Sequence, residues 1–141
     1  MASQRKILFV TKDKGPFNVT RNVVPALRAR GHDVRVIAEG LSAELWEQAS
    51  EKLLFKGSID FEKAPFEICI HRSLSEFAPD VLVVTGSVPI NLERRFAVQA
   101  EAWQMPIVCI EDTAGSATRL GIRPGLVLTL NRLAVDFYRA T

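Results

Sequence analysis

The sequence lacks a long hydrophobic run and carries little net charge. No apolar stretch approaches the roughly 20 residues that a membrane-spanning helix requires, so we expect no membrane span. The apolar stretch nearest the N-terminus, Ile7–Val10, is short and is followed at once by charged residues, unlike a signal peptide. We therefore expect a cytoplasmic protein.

The formal net charge is +2 and no basic run is interleaved with aromatic residues, so nothing supports nucleic-acid binding.

Cysteine and histidine are also scarce, with 2 of each in the chain. Cys69 and Cys109 lie in the apolar contexts EICIH and IVCIE, which favours buried, reduced thiols over a disulfide. Together with His32 and His71 they cannot form a cluster with the spacing of a structural zinc site. We expect neither a metal ion nor another cofactor.

Three common active-site motifs are absent. The sequence contains neither the GxGxxG pattern of dinucleotide-binding domains nor a Walker loop. Ser116 and Thr118 lie in the segment AGSATRLG, but GxSxG is absent and no histidine is placed to activate a hydroxyl. We therefore do not expect a hydrolase triad, and we rank a flavodoxin-like or small hydrolytic enzyme last.

The sequence does contain a regular alternation of apolar and amphipathic segments. Its 141 residues, 48% of them hydrophobic and 24% charged, are typical of one globular domain, here spanning 1–141. Short apolar runs bounded by turn residues predict buried strands. The predicted strands are Ile7–Val10, Asp33–Glu39, Leu54–Ile59 (short and at a sheet edge), Asp80–Gly86, Pro106–Asp112 and Leu126–Leu130.

Helical spacing of apolar residues predicts helices between these strands. We expect one helix from Phe17 to Arg30, bent or broken by Pro25. A second runs from Ala43 to Leu53, with Ser42 as its N-cap. Further helices are predicted in the second half of 60–77, from Leu92 to Gln104 and from Asn131 to Tyr138. The residues expected to face inward are Ile68, Leu74, Phe77, Phe96, Ala100 and Trp103.

Strands that alternate with helices predict an α/β fold, here a three-layer, Rossmann-like, doubly wound parallel sheet with strand order 3-2-1-4-5-6. In that order the first and fourth strands are neighbours, so the turns after them, Lys12–Asn18 and Thr85–Asn91, face one another. The turn after the fifth strand, Glu111–Thr118, would form the far wall. Because open α/β sheets hold ligands at this edge, we expect the site there.

The first turn supplies five candidate ligand-binding residues, Lys12, Asp13, Lys14, Gly15 and Asn18. A glycine lets the backbone approach a ligand, and two lysines beside a helix start favour an anion or a sugar phosphate. Pro16 removes one amide from that helix start. The alternative is a solvated turn whose lysines keep the sheet edge soluble.

The other candidates follow the fourth and fifth strands and are Thr85, Gly86, Ser87 and Asp112. Two hydroxyls and a glycine at a strand end suit hydrogen bonding to a sugar or phosphate oxygen, and ordinary turn chemistry explains them equally well.

Glu111 and Asp112 are adjacent and should point to opposite sides of the strand, which argues against an acid–base pair. Either one of them faces the crevice or, as we favour, Asp112 caps the next turn.

Three stretches resemble, in order, the N-terminal half of glycosyltransferase-B-fold proteins and the related UDP-N-acetylglucosamine 2-epimerases. They are residues 6–40, with the pattern L-x-x-R-G-H-x-V between helix and strand, then PDVLVVTGS and MPIVCIED. The layout looks closest to glycosyltransferase-like proteins of bacterial polysaccharide synthesis, with Ala38-Glu39-Gly40 at the matching strand end. Many family members carry a histidine in the opening loop, where this chain has Asp13, Lys14 and Asn18.

The resemblance implies the acceptor-side domain of a transferase that binds a sugar or nucleotide-sugar. Gly15, Asn18, Thr85 and Gly86 fall at matching cleft positions, and no catalytic residue carries over. Because the family's nucleotide-sugar site lies mostly in the C-terminal half, turnover would need a second domain, a second glycosyltransferase subunit or a homodimer. The alternative is a non-catalytic interaction or oligomerisation module, for which Trp46, Trp103 and Tyr138 are candidate exposed aromatics.

Overall fold

A computed structural model describes residues 3–56, 66–86, 92–113, 115–129 and 139. Its six strands form one sheet in the order β3-β2-β1-β4-β5-β6, and every neighbouring pair is parallel. The predicted topology is thus confirmed. The strands are β1 (Lys6–Lys12), β2 (Asp33–Glu39), β3 (Phe55–Lys56), β4 (Val81–Val84), β5 (Ile107–Ile110) and β6 (Leu126–Leu128).

Helices connect these strands. They are α1 (Lys14–Thr20), α2 (Val23–Ala29), α3 (Gly40–Gln48), α4 (Phe66–Glu76) and α5 (Leu92–Ala102), and a 3-10 helix, η1 (Ser116–Leu120), follows β5. Among the described residues, no helix has the length and apolar character needed to cross a membrane. The predicted helix 131–138 and the predicted end of β3 at 57–59 lie outside the described residues.

The central strand β1 is buried on both faces of the sheet. Leu8 and Val10 pack into a cluster with residues of α4, α5 and η1, whereas Ile7 and Phe9 pack with residues of α1, α2 and α3. Side chains of a strand alternate between the two faces, so a continuous apolar run serves both clusters. The result is the predicted three-layer arrangement, with helices on each side of the sheet.

The single helix predicted over Phe17–Arg30 is two helices, α1 and α2. The hydroxyl of Thr20 donates to the carbonyl of Pro16 at 2.6 Å, a side-chain bond that bends or ends helices. Pro25 lies in the first turn of α2, where its missing N–H is tolerated. The predicted break therefore exists, but it falls at residues 21–22, ahead of Pro25.

Helix α3 begins at Gly40, and Glu39 rather than Ser42 is its N-cap residue, so the predicted cap is wrong. Ser42 is instead fully buried, and its hydroxyl lies 2.7 Å from the hydroxyl of Thr11 at the end of β1. Trp46 also donates from Nε1 to the Thr11 oxygen at 3.0 Å. These buried polar contacts fasten α3 to the sheet beside the first turn.

Two residues expected to face inward are exposed. Ile68 is 50% exposed and Trp103 41% exposed, whereas Leu74, Phe96 and Ala100 are buried as predicted. Trp103 follows the last residue of α5, so the helical spacing on which the prediction rested no longer applies to it. Its ring packs edge-on against that of His71, with centroids 5.1 Å apart.

Leu82→Ala should lower the free energy of unfolding by about 2–5 kcal/mol, because Leu82 is fully buried in β4 and truncation leaves a cavity. Leu126→Ala is the matched control, since Leu126 is 51% exposed on β6 and should change stability by no more than about 0.5 kcal/mol. Urea unfolding measures both. Equal losses in the two variants would contradict the layered core described above.

Candidate functional site

The turns after β1, β4 and β5 lie at the same edge of the sheet. The three strands are adjacent and parallel, so their carboxyl ends point the same way. The segment after β5 lies closely against both of the other turns, through Asp112 and through Ser116. We call the edge formed by Lys12–Asn18, Thr85–Gly86, Glu111–Thr113 and Gly115–Ser116 the rim.

Gly15 and Asp112 form the first close approach within the rim. A Cβ atom built on Gly15 would lie 2.2 Å from Oδ2 of Asp112, which is far inside contact distance. A side chain at position 15 would therefore have to displace the Asp112 carboxylate, whereas glycine leaves it in place. Two of the predicted site residues, one after β1 and one after β5, are thus brought into contact across the end of β4.

Gly86 and Ser116 form the second close approach. Gly86 has a φ of 78°, in the left-handed region, and a Cβ atom there would lie 2.5 Å from the carbonyl oxygen of Ser116. The Ser116 hydroxyl donates to the carbonyl of Thr85 at 3.0 Å. Thr85 and Gly86 are thereby held against η1. Ser87, the next predicted site residue, lies outside the described residues.

Glu93, in the first turn of α5, is a functional candidate that the sequence did not reveal. Its side chain is buried, with a residue exposure of 1%, and it accepts a hydrogen bond from the Thr85 amide at 2.7 Å and another from the Thr85 hydroxyl. An acidic residue in a first helical turn is common on protein surfaces, so the sequence carried no signal of burial. Glu93 orients the turn after β4.

Glu111 and Asp112 follow the end of β5 and serve different parts of the rim. Glu111 is 1% exposed and accepts a hydrogen bond from the amide of Ala117 at 2.9 Å. The Ser116 hydroxyl lies 3.4 Å from the same carboxylate. Glu111 therefore anchors the start of η1, whereas Asp112 lies against Gly15.

The first turn is anchored at one end and strained in the middle. Thr11 is fully buried, and Asp13 has φ 66° and ψ 175°, a conformation that glycine alone adopts readily. Such strain persists only where the surrounding structure imposes it, and it is concentrated at functional sites. Lys12 is half-buried, while Lys14 and Asn18 are exposed.

Three carboxylates lie close enough to the Cys109 thiol, near the end of β5, to act on it. Burial raises the pKa of the Cys109 thiol, and the carboxylates of Glu93, Glu111 and Asp112 raise it further. Cys109 is a free, buried cysteine, as the sequence predicted; the Cys69 side chain lies outside the described residues. Within the described ranges, no group of three His, Cys, Asp or Glu side chains is placed to hold a metal ion.

No protein-family model and no curated protein sequence matches this chain, whereas solved structures match its fold. A Listeria monocytogenes protein described as a UDP-N-acetylglucosamine 2-epimerase has a TM-score of 0.78 and 13% identity over 99% of this chain and 42% of its own. The S. aureus MnaA–UDP structure has a TM-score of 0.75 and 15% identity over 97% and 40%. The glycosyltransferase SnogD of Streptomyces nogalater has a TM-score of 0.60 and 18% identity over 92% and 45%.

These similarities establish the fold. The chain has the Rossmann-like α/β fold that forms the N-terminal domain of glycosyltransferase-B proteins, as the sequence resemblance implied. It spans less than half the length of each of these three structures.

Gly86→Ala should destabilise the protein more than Gly31→Ala. Both glycines have a positive φ, 78° and 89°, so each alanine incurs about 1–2 kcal/mol of backbone strain. Only at Gly86 does the new Cβ collide with a neighbour, which should cost roughly a further 1–3 kcal/mol, whereas nothing lies within 4 Å of a Cβ on Gly31. Urea unfolding of the two variants measures the difference, and equal losses would contradict the close approach to Ser116.

The buried Cys109 thiol should make stability depend on pH. Its pKa is raised in the native state, so the native protein keeps a proton that the unfolded chain loses above about pH 8.5. The free energy of unfolding should then fall with rising pH, by at most about 1.4 kcal/mol per pH unit from this group. Cys109→Ala should show a shallower decline than wild type between about pH 8.5 and 9.5 in urea unfolding. Identical slopes would show that the thiol ionises normally.

Proposed function

We propose that this chain, which has the fold of an N-terminal glycosyltransferase-B domain, is the acceptor-side domain of a glycosyltransferase-like protein. It binds a sugar or nucleotide-sugar at the rim and needs a second domain or subunit for catalysis. The binding residues are those of the three turns, namely Lys12, Asp13, Lys14, Gly15, Asn18, Thr85, Gly86, Ser87 and Asp112.

The observation that carries this proposal is that the segment after β5 packs against the turns after β1 and β4. Asp112 lies against Gly15, and Ser116 lies against Gly86, so the three turns pack together at the carboxyl ends of the strands. Crevices at the carboxyl edge of open α/β sheets are where such folds bind ligands. The strained backbone at Asp13 is a second feature typical of functional sites.

Two observations favour an incomplete enzyme. The chain spans 40–45% of the length of the three structures described above. The rim also lies at one edge of the sheet, where a second domain could close over a ligand and exclude water. One of those structures, that of MnaA, contains UDP, which supports a nucleotide-sugar as a ligand to test.

Titration with UDP-N-acetylglucosamine should shift the backbone amide resonances of the rim. We expect the largest changes at Gly15, Thr85, Gly86 and Asp112, because a ligand at this edge changes their hydrogen bonding. Two-dimensional NMR of the 15N-labelled chain measures the shifts up to millimolar ligand.

The opposite edge of the sheet provides an internal control. There the Arg5 amide donates to Nδ1 of His32 at 3.1 Å and the Lys6 amide to Asp80 at 2.8 Å, so these resonances should stay in place. Shifts confined to that edge, or no shifts at all, would argue strongly against the proposed site.

A second candidate function is a non-catalytic interaction module. Three aromatic residues were candidates for the exposed surface of such a module. Trp46 is buried, Tyr138 lies outside the described residues, and Trp103 is exposed beside His71. The exposed Trp103 favours this alternative. Sedimentation of the wild type and of Trp103→Ala distinguishes the two functions. A wild type that forms a tight dimer and binds no sugar, together with a monomeric Trp103→Ala variant, would support the interaction module.

A further inference from the structure

We infer that two copies of this chain associate through α5, packed antiparallel around Val98, with Arg94 of each copy opposite Glu101 of the other. The surface is the outer side of the helical layer that contains α4 and α5. The inference goes beyond the proposed function and does not depend on it, because no residue of the rim takes part.

Three exposed hydrophobic side chains lie on this layer. They are Ile68 of α4, Val98 of α5 and Trp103, which directly follows α5. The two helices pack against each other, and the Trp103 ring contacts that of His71, which lies one turn after Ile68 on α4. A group of exposed apolar residues marks an interaction site, whereas single scattered ones need no explanation.

The charges on α5 fit a second α5 that runs in the opposite direction. Arg94, Val98 and Glu101 are spaced i, i+4, i+7, so they lie along one side of the helix, and all three are exposed. Val98 is close to the midpoint between the cation and the anion. Turning a second copy end for end about Val98 therefore brings Arg94 to Glu101 of that copy, twice in the dimer. A twofold interface requires such a self-complementary surface.

Both charged side chains are accessible to a second copy. Within the described part of the chain, neither the Arg94 nor the Glu101 side chain forms an ion pair, and about 10 Å along the helix axis separates them. The guanidinium of Arg94 lies against Gly121, with Nε 2.8 Å from where a Cβ would be, so it is held near the end of η1.

Two other cations lie nearby. Glu101 lines the same small depression as Arg123, so this carboxylate has one cation close to it in the monomer and gains a second in the dimer. Arg95 is exposed as well but already interacts within the chain. We therefore assign a partner in the second copy to Arg94 alone.

The apolar and the charged side chains have different tasks in this dimer. Burial of Ile68, Val98 and Trp103 in both copies supplies the favourable free energy. Exposed ion pairs contribute little free energy but select the orientation, because a parallel arrangement would place Arg94 against Arg94 and Glu101 against Glu101.

Sedimentation of charge-reversal variants of the full chain tests the pairing. We expect a wild-type dimer, and Arg94→Glu and Glu101→Arg should each weaken dimerisation by about tenfold or more, because each brings like charges together twice. An equimolar mixture of the two variants should form a dimer again, since every pair in the mixed dimer joins opposite charges. Arg30→Glu and Glu44→Arg are matched controls, exposed on the other face of the sheet, and should leave the dimer unchanged.

Val98→Asp tests the centre of the interface. It should give a monomer, because two carboxylates would meet where the apolar side chains now pack. Leu41→Asp is the matched control, since Leu41 of α3 has the same 46% exposure as Val98 but lies on the other face of the sheet, and this variant should remain dimeric. Far-UV circular dichroism checks that each variant keeps its fold.

Four results would overturn the inference. They are a wild type that stays monomeric at millimolar concentration, a dimer that survives Val98→Asp but not Leu126→Asp, folded charge variants whose mixture does not dimerise, and a monomer that binds anionic phospholipid vesicles through Trp103. The second would place the interface at the edge strand β6, and the fourth would identify a membrane-binding surface. None of them bears on the rim, which the titration with UDP-N-acetylglucosamine tests separately.

Discussion

The rim depends on the parallel pairing of β1 with β4 and of β4 with β5. β1 lies between β2 and β4, and β4 is followed by β5, all in the same direction. Had β1 and β4, or β4 and β5, been antiparallel, Gly15, Gly86 and Asp112 would not all lie at the same end of the strands. The pairing is maintained by burial on both faces, since β1 supplies side chains to the cluster on each side.

A second constraint is the close backbone approach at two glycines. Gly15 and Gly86 admit Asp112 and Ser116 to positions that a side chain would fill. The segment after β5 can therefore fold over the ends of the other strands, rather than run past them. Polar groups buried by this arrangement need partners, and the hydrogen bonds from Thr85 to Glu93 and from Ala117 to Glu111 supply them.

The accuracy of each prediction from the sequence depends on whether neighbouring residues or residues distant in the chain determine the feature. The strands predicted over Asp33–Glu39 and Asp80–Gly86 followed from apolar runs of strand length and are observed as Asp33–Glu39 and Val81–Val84. The helix break expected at Pro25 exists but falls ahead of it, at residues 21–22. The N-cap at Ser42 was predicted wrongly because its hydroxyl binds Thr11, far away in the chain, instead of its own helix. Trp103 was misplaced because α5 ends one residue before it.

Taken alone, the sequence determined the strand order, the parallel sheet and the edge at which the polar turns meet. The parallel sheet follows from local periodicity and from the helices between successive strands, and the strand order from the doubly wound arrangement typical of such sheets. Only the tertiary structure decided which carboxylate faces which turn, with Glu93 on Thr85 and Asp112 on Gly15. Those contacts depend on side-chain directions across strands that are distant in sequence, and no local pattern specifies such directions.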